Sequence, residues 1–143
     1  MGLTATSDPK SVAQAYFKAI DDGREDLFDF FADDAYVFFP KHPYAKGVTE
    51  IRQLFSDIAP LWKIIEHRIA YFNYIVEGGM VAVEGTQHGE LSDAVGGGEW
   101  TEGRYCSVFE IREGKIQRLH NYTDPDFAGK DNRRYPWLTS GDK

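Results

Sequence analysis

The apolar positions of this chain change period once, from a helical spacing in the first third to strand-like alternation in the last. Val12, Ala13, Tyr16, Phe17 and Ile20 form one helical stripe. Ser7-Asp8-Pro9 precedes it, offering capping oxygens and a first-turn proline, and Asp21-Asp22-Gly23 ends it. A second, shorter helix is predicted over 24–31, with Leu27, Phe28 and Phe31 on one side. Residues 35–39 read as a short strand stopped by Pro40. Gly47-Val48-Thr49 then leads into a third helix, with Ile51, Leu54, Phe55 and Ile58 inward and Pro60 beyond its end. Four strands follow, at about 63–76, 80–90, 100–111 and 116–124. Glu77-Gly78-Gly79 and Arg112-Glu113-Gly114-Lys115 are read as tight hairpin turns, and 93–98 as a glycine-rich loop. The tail is polar until Tyr135-Pro136-Trp137-Leu138, an apolar cluster expected to dock on the body.

Helices first and an antiparallel sheet last predict an α+β domain, a curved sheet wrapped around a helix. Such a sheet, closed on one side by helices, makes a cone that can hold a small molecule. The 143 residues fit one domain, 1–143, with a core over about 8–126 and an irregular tail over 127–143.

Aromatic residues make up 15% of the chain, enough to line a cavity as well as fill a core. The formal charge of −7 argues against nucleic-acid binding as the main task. Cys106 is the sole cysteine, so no intrachain disulfide is possible. The polar start and the lack of an apolar run of ~20 residues point to a cytoplasmic protein with no membrane partner. No histidine pair stands at metal-ligand spacing with a third ligand nearby, and no phosphate loop or flavin signature is present, so neither metal nor cofactor is expected.

Several segments resemble the nuclear transport factor 2-like superfamily, nearest to its SnoaL-like polyketide cyclases and ketosteroid isomerases. They are Tyr16-Phe17-Lys18-Ala19-Ile20-Asp21, Phe31-Ala32-Asp33-Asp34-Ala35, Lys46-Gly47 and Val108-Phe109-Glu110 before Gly114-Lys115-Ile116. The resemblance implies a cone-shaped (cystatin-like) fold, with three N-terminal helices on a strongly curved mixed sheet. It does not name a reaction, since this fold hosts many. The isomerases' tyrosine donor falls at Tyr16, but their general base falls at Phe39 and their acidic donor near Cys106 or Ser107. The epoxide hydrolases' acid–base groups fall at Gly85, Gln87 and Asn121. Neither mechanism has its residues here.

Dehydratases of this fold pair a histidine on the first long strand with an aspartate near the end of the first helix, and those positions are His67 and Asp21. The resemblance therefore implies a dyad in which the carboxylate accepts from one ring nitrogen, holding it protonated and orienting the ring, and leaves the other nitrogen to take a proton beside a carbonyl. The bland alternative makes His67 a satisfied strand histidine and Asp21 a helix end. Strand parity sets Gln87, Tyr105, Ser107 and Asn121 on one face, which the family's register implies is the inner one, where with Phe39 they would contact substrate. The same parity turns His88 and His120 outward, and sets Arg68, Tyr74, Arg118, His120 and Tyr122 on an outer face expected to form a homodimer. His42 is expected at the pocket rim. Two functions remain open: a cofactor-independent lyase, isomerase or cyclase acting on a cyclic or polyketide-like carbonyl compound, with His67, Asp21 and Tyr16 catalytic, or a non-catalytic module binding a small apolar or aromatic ligand or a partner.

Overall fold

The structure is a computed structural model that describes residues 8–127 and 129–139. Helix α1 (Pro9–Asp21) starts where Asp8 Oδ2 accepts from the Ser11 backbone N–H at 3.1 Å, and it buries Val12, Ala13, Tyr16, Phe17 and Ala19. A 3-10 segment (Glu25–Phe30) leads into β1 (Phe31–Phe38). Then come β2 (Ala45–Lys46), α2 (Gly47–Ile58), β3 (Trp62–His67), β4 (Asn73–Glu77), β5 (Met80–Leu91), β6 (Glu99–Arg112) and β7 (Lys115–Thr123), with a last short helix α3 (Pro136–Thr139).

The sheet runs β2-β1-β7-β6-β5-β3, with β4 also on β5. It is mixed, because β1 lies parallel to β7 while the other pairs are antiparallel. The β6–β7 turn has Glu113 and Gly114 both at positive φ, 53° and 76°, the conformation whose twist matches two strands joined this tightly. Register pairs Tyr105 with Thr123, Ser107 with Asn121 and Phe109 with Leu119, all on the face toward α1. Phe109 is fully buried there, edge-on to Tyr16 and Phe17 at 5.5 and 5.7 Å. Among the described residues, no helix is long and apolar enough to cross a membrane.

Three local expectations are corrected. The second helix is a 3-10 turn whose buried residues are Leu27 and Phe30, an i, i+3 pair suited to three residues per turn, and Phe31 belongs to β1. The strand expected over 63–76 is two strands with a 3-10 turn (Ile69–Tyr71) between them. Both pair with β5: His67 faces Gln87 and Asn73 faces Glu84, so five residues loop out against two of β5. Gly85 permits this, since a Cβ there would stand 2.5 Å from the Phe72 ring, which fills that space and is buried. In the tail, Tyr135 and Trp137 remain largely exposed, so the cluster is not buried against the body, and the Leu138 side chain lies outside the described residues.

Candidate functional site

The inner sheet face, α1, the 3-10 segment and α2 enclose a cavity of about 520 Å³. Its walls include Leu54, Phe55 and Ile58 of α2, with Trp62 and Ile65 of β3. His67 ends β3 opposite the last residue of α1, Asp21. One carboxylate holds it twice: the His67 backbone N–H donates to Asp21 Oδ2 at 2.9 Å, and ring Nδ1 lies 2.6 Å from Oδ1. This geometry assigns the proton to Nδ1. Nε2 then carries the free lone pair, and it makes no hydrogen bond among the described residues. The ring packs on Phe17 at 5.1 Å and meets Tyr105 edge-on at 5.8 Å. A carboxylate at a helix C-terminus is disfavoured by the helix dipole, and these two hydrogen bonds offset that cost.

Two phenols stand in the same cavity. The Tyr16 ring is clasped edge-on by Phe17, Phe30, Phe31 and Phe109, and burial pushes its pKa above the usual phenol range. Burial first, and the Asp21 charge second, do the same to Tyr105. Both therefore stay protonated donors. The buried Tyr105 hydroxyl has no hydrogen-bond partner among the described residues. Gln87 is buried opposite His67 in the β3–β5 ladder. Ser107 Oγ donates to Asn121 Oδ1 at 2.7 Å, and Asn121 Nδ2 donates to the Phe38 carbonyl at 3.3 Å. These two are thus already tied to each other and to β1. Phe39 lines the wall just beyond β1. Seven of the eight residues singled out from sequence line the cavity, and Asp21 stands behind His67.

The other histidines lie elsewhere. His88 faces outward, with Nε2 3.5 Å from Glu66 Oε2. His42 is not part of the cavity lining, because hydrogen bonds to Asp57 of α2 and the Pro43 carbonyl hold it and raise its pKa. His120 is buried on the outer face, where Arg118 Nε donates to its Nε2 at 3.1 Å and Tyr122 Oη lies 3.1 Å from Nδ1. Burial, then the Arg118 charge, lowers its pKa. Tyr74 departs from the expected outer set: it packs on the core next to Phe72, with the Lys10 ammonium 4.8 Å above its ring. Sequence parity missed this because the break after His67 resets the alternation before β4 begins. Sequence reasoning also missed Trp62, Arg24 and Lys63 in the lining. A bulge and a loop place them there, and neither leaves a periodic signal. Among the described residues, no cluster of three His, Cys, Asp or Glu side chains could hold a metal ion.

The SnoaL-like domain matches residues 13–119 of this chain. The chain belongs to the SnoaL-like domain family. Solved structures agree on the fold. A putative polyketide cyclase from Xanthomonas campestris pv. campestris superposes with a TM-score of 0.69 at 19% identity, over 81% of this chain and 90% of that one. An NTF2-like protein of unknown function from Burkholderia pseudomallei gives 0.72 at 13% identity, over 90% and 97%. TerC, co-crystallized with polyporic acid, gives 0.67 at 16% identity, over 81% and 91%. Comparison with curated proteins returns no match. This SnoaL-like chain shares with those structures a curved mixed sheet closed by helices.

Proposed function

We propose that this SnoaL-like protein is a cofactor-independent lyase, isomerase or cyclase acting on a cyclic or polyketide-like carbonyl compound. The observation that carries the reading is the doubly held His67, whose Nε2 is left as a base in a largely apolar cavity. The base takes a proton from carbon beside the carbonyl. The C–H pair becomes a C=C bond, and the carbonyl π pair moves onto oxygen. The donor to that oxygen comes from the phenols of the same wall, Tyr16 and Tyr105. Asp21 stabilises the imidazolium that results. Likeness to proteins described as polyketide cyclases, and to one co-crystallized with polyporic acid, supports a cyclic oxygenated ligand.

One set of contacts favours the alternative of a binding module. Ser107 and Asn121 satisfy each other, and Phe39 stands where the isomerases' base would fall. The test is 2-tetralone in D2O, followed by NMR for exchange of its α-protons. Catalysed exchange supports the enzyme. Saturable binding without exchange assigns the cavity to carriage alone.

We further propose a homodimer through the outer sheet face, in a cytoplasmic setting that suits the free thiol of Cys106. Tyr36, Phe38, Tyr44 and Tyr122 surround His120 there, and Tyr44 and Tyr122 are about half exposed. Sedimentation equilibrium at micromolar concentration is expected to give twice the 16.3 kDa chain mass. The mass of a single chain throughout that range would remove the dimer.

A further inference from the structure

We infer that the mouth of the cavity holds a carboxylate of the ligand, so that the natural ligand is an amphipathic cyclic acid, not a neutral ring compound. This rests on the cavity being the ligand site proposed above, and it adds the ligand's charge and length. Beyond the His67 end, the charged residues of the lining are Arg24, Glu25 and Lys63. Arg24 follows α1 three residues after Asp21, and Lys63 sits four residues before His67 on β3. The β3 axis therefore runs from the base to the mouth over on the order of 13 Å at strand rise. A shift in the β3–β5 register between Trp62 and Ile64 makes room for Lys63 beside Trp62, and both residues line the cavity.

Both cations now face carboxylates that do not line the cavity. Arg24 grips Asp26 at two points, Nε to Oδ1 at 2.9 Å and Nη2 to Oδ2 at 2.5 Å, whereas Lys63 Nζ makes one contact, 3.2 Å from Asp93 Oδ1. The Asp26 and Asp93 side chains are 46% and 88% exposed. An exposed single-contact pair such as Lys63–Asp93 contributes little, because water screens it and both side chains lose freedom in holding it, so Lys63 is the cation more readily freed. A ligand carboxylate fixed by its ring in the apolar wall can replace one of these partners without ordering a new side chain. Glu25 in the same lining repels a dianion about twice as strongly as a monoanion, which favours a single carboxylate over a phosphate monoester.

The test uses 6-methoxy-2-naphthylacetic acid and its primary amide, followed by naphthalene fluorescence at low salt and pH 8. The acid is expected to bind about tenfold more tightly than the amide, with the gap closing as salt is added. The double variant Arg24→Gln, Lys63→Gln is expected to remove that preference while leaving amide affinity in place. Its sites are surface-exposed, so folding is not at risk. His67→Gln is expected to retain the preference. Equal affinity for acid and amide, a preference that survives the double variant, or one that vanishes in His67→Gln instead would each overturn the inference. Failure of the acid preference alongside His67-dependent exchange of 2-tetralone would sink the carboxylate alone. Absence of binding by either probe at millimolar concentration would count against the cavity as a ligand site altogether.

Discussion

His67→Gln is expected to cut proton abstraction by about 10³-fold, with the chain still folded. Glutamine cannot take up a proton at neutral pH, so the base is lost. The backbone N–H at position 67 still reaches Asp21 Oδ2, which keeps the end of β3 against α1. Asp21 Oδ1 loses its ring donor at 2.6 Å, a change expected to cost about 1–2 kcal/mol of stability. Asp21→Asn is expected to be milder for turnover, about 10–100-fold. Its amide turns an N–H toward one of the two His67 donors, so the ring either loses its anchor or adopts the other tautomer. Exchange rates read alongside circular-dichroism melts separate loss of chemistry from loss of fold. Near-wild-type rates in His67→Gln would move the base elsewhere.

Phe109→Ala is expected to cost about 3–5 kcal/mol, a large share of the roughly 5–15 kcal/mol that holds a domain together. The ring is fully buried, and its edge contacts at 5.5 and 5.7 Å fix Tyr16 and Phe17 from the sheet side. Phe17 in turn packs on the His67 ring at 5.1 Å. The cavity wall and the His67 ring are thus supported by the same aromatic stack, and removing its centre leaves a hole beside α1. Urea denaturation is expected to show a much lower midpoint, with Phe109→Leu intermediate. An unchanged midpoint for the alanine variant would mean that this cluster does not carry the core.

Much of this arrangement was legible in the sequence because it rests on periodic signals. The α1 stripe and the β6 and β7 parity group Tyr16 with the apolar face of α1 and set Tyr105, Ser107 and Asn121 on one sheet face, and the family register says that this face is the inner one. The proximity of His67 and Asp21, 46 positions apart, was reached through family resemblance and not from spacing. The misses share a cause. The break at 68–72 depends on the Phe72 ring occupying the space that Gly85 leaves empty, a long-range packing event with no local pattern. The same break inverted the reading of Tyr74. Lys63 was hidden by a register shift in β3, and Arg24 by its position in a loop. Neither an alternation nor a helical stripe can report such positions.

The central claim is that Asp21 fixes the His67 proton on Nδ1 and leaves Nε2 as the base facing the ligand. Selective 15N labelling of histidine, with His67 assigned by its glutamine variant, tests this by NMR at pH 8. The account predicts a protonated Nδ1 and a bare Nε2, with added 2-naphthol shifting the Nε2 resonance and leaving Nδ1 in place. A proton found on Nε2, or a His67 ring indifferent to a ligand that occupies the cavity, would contradict it.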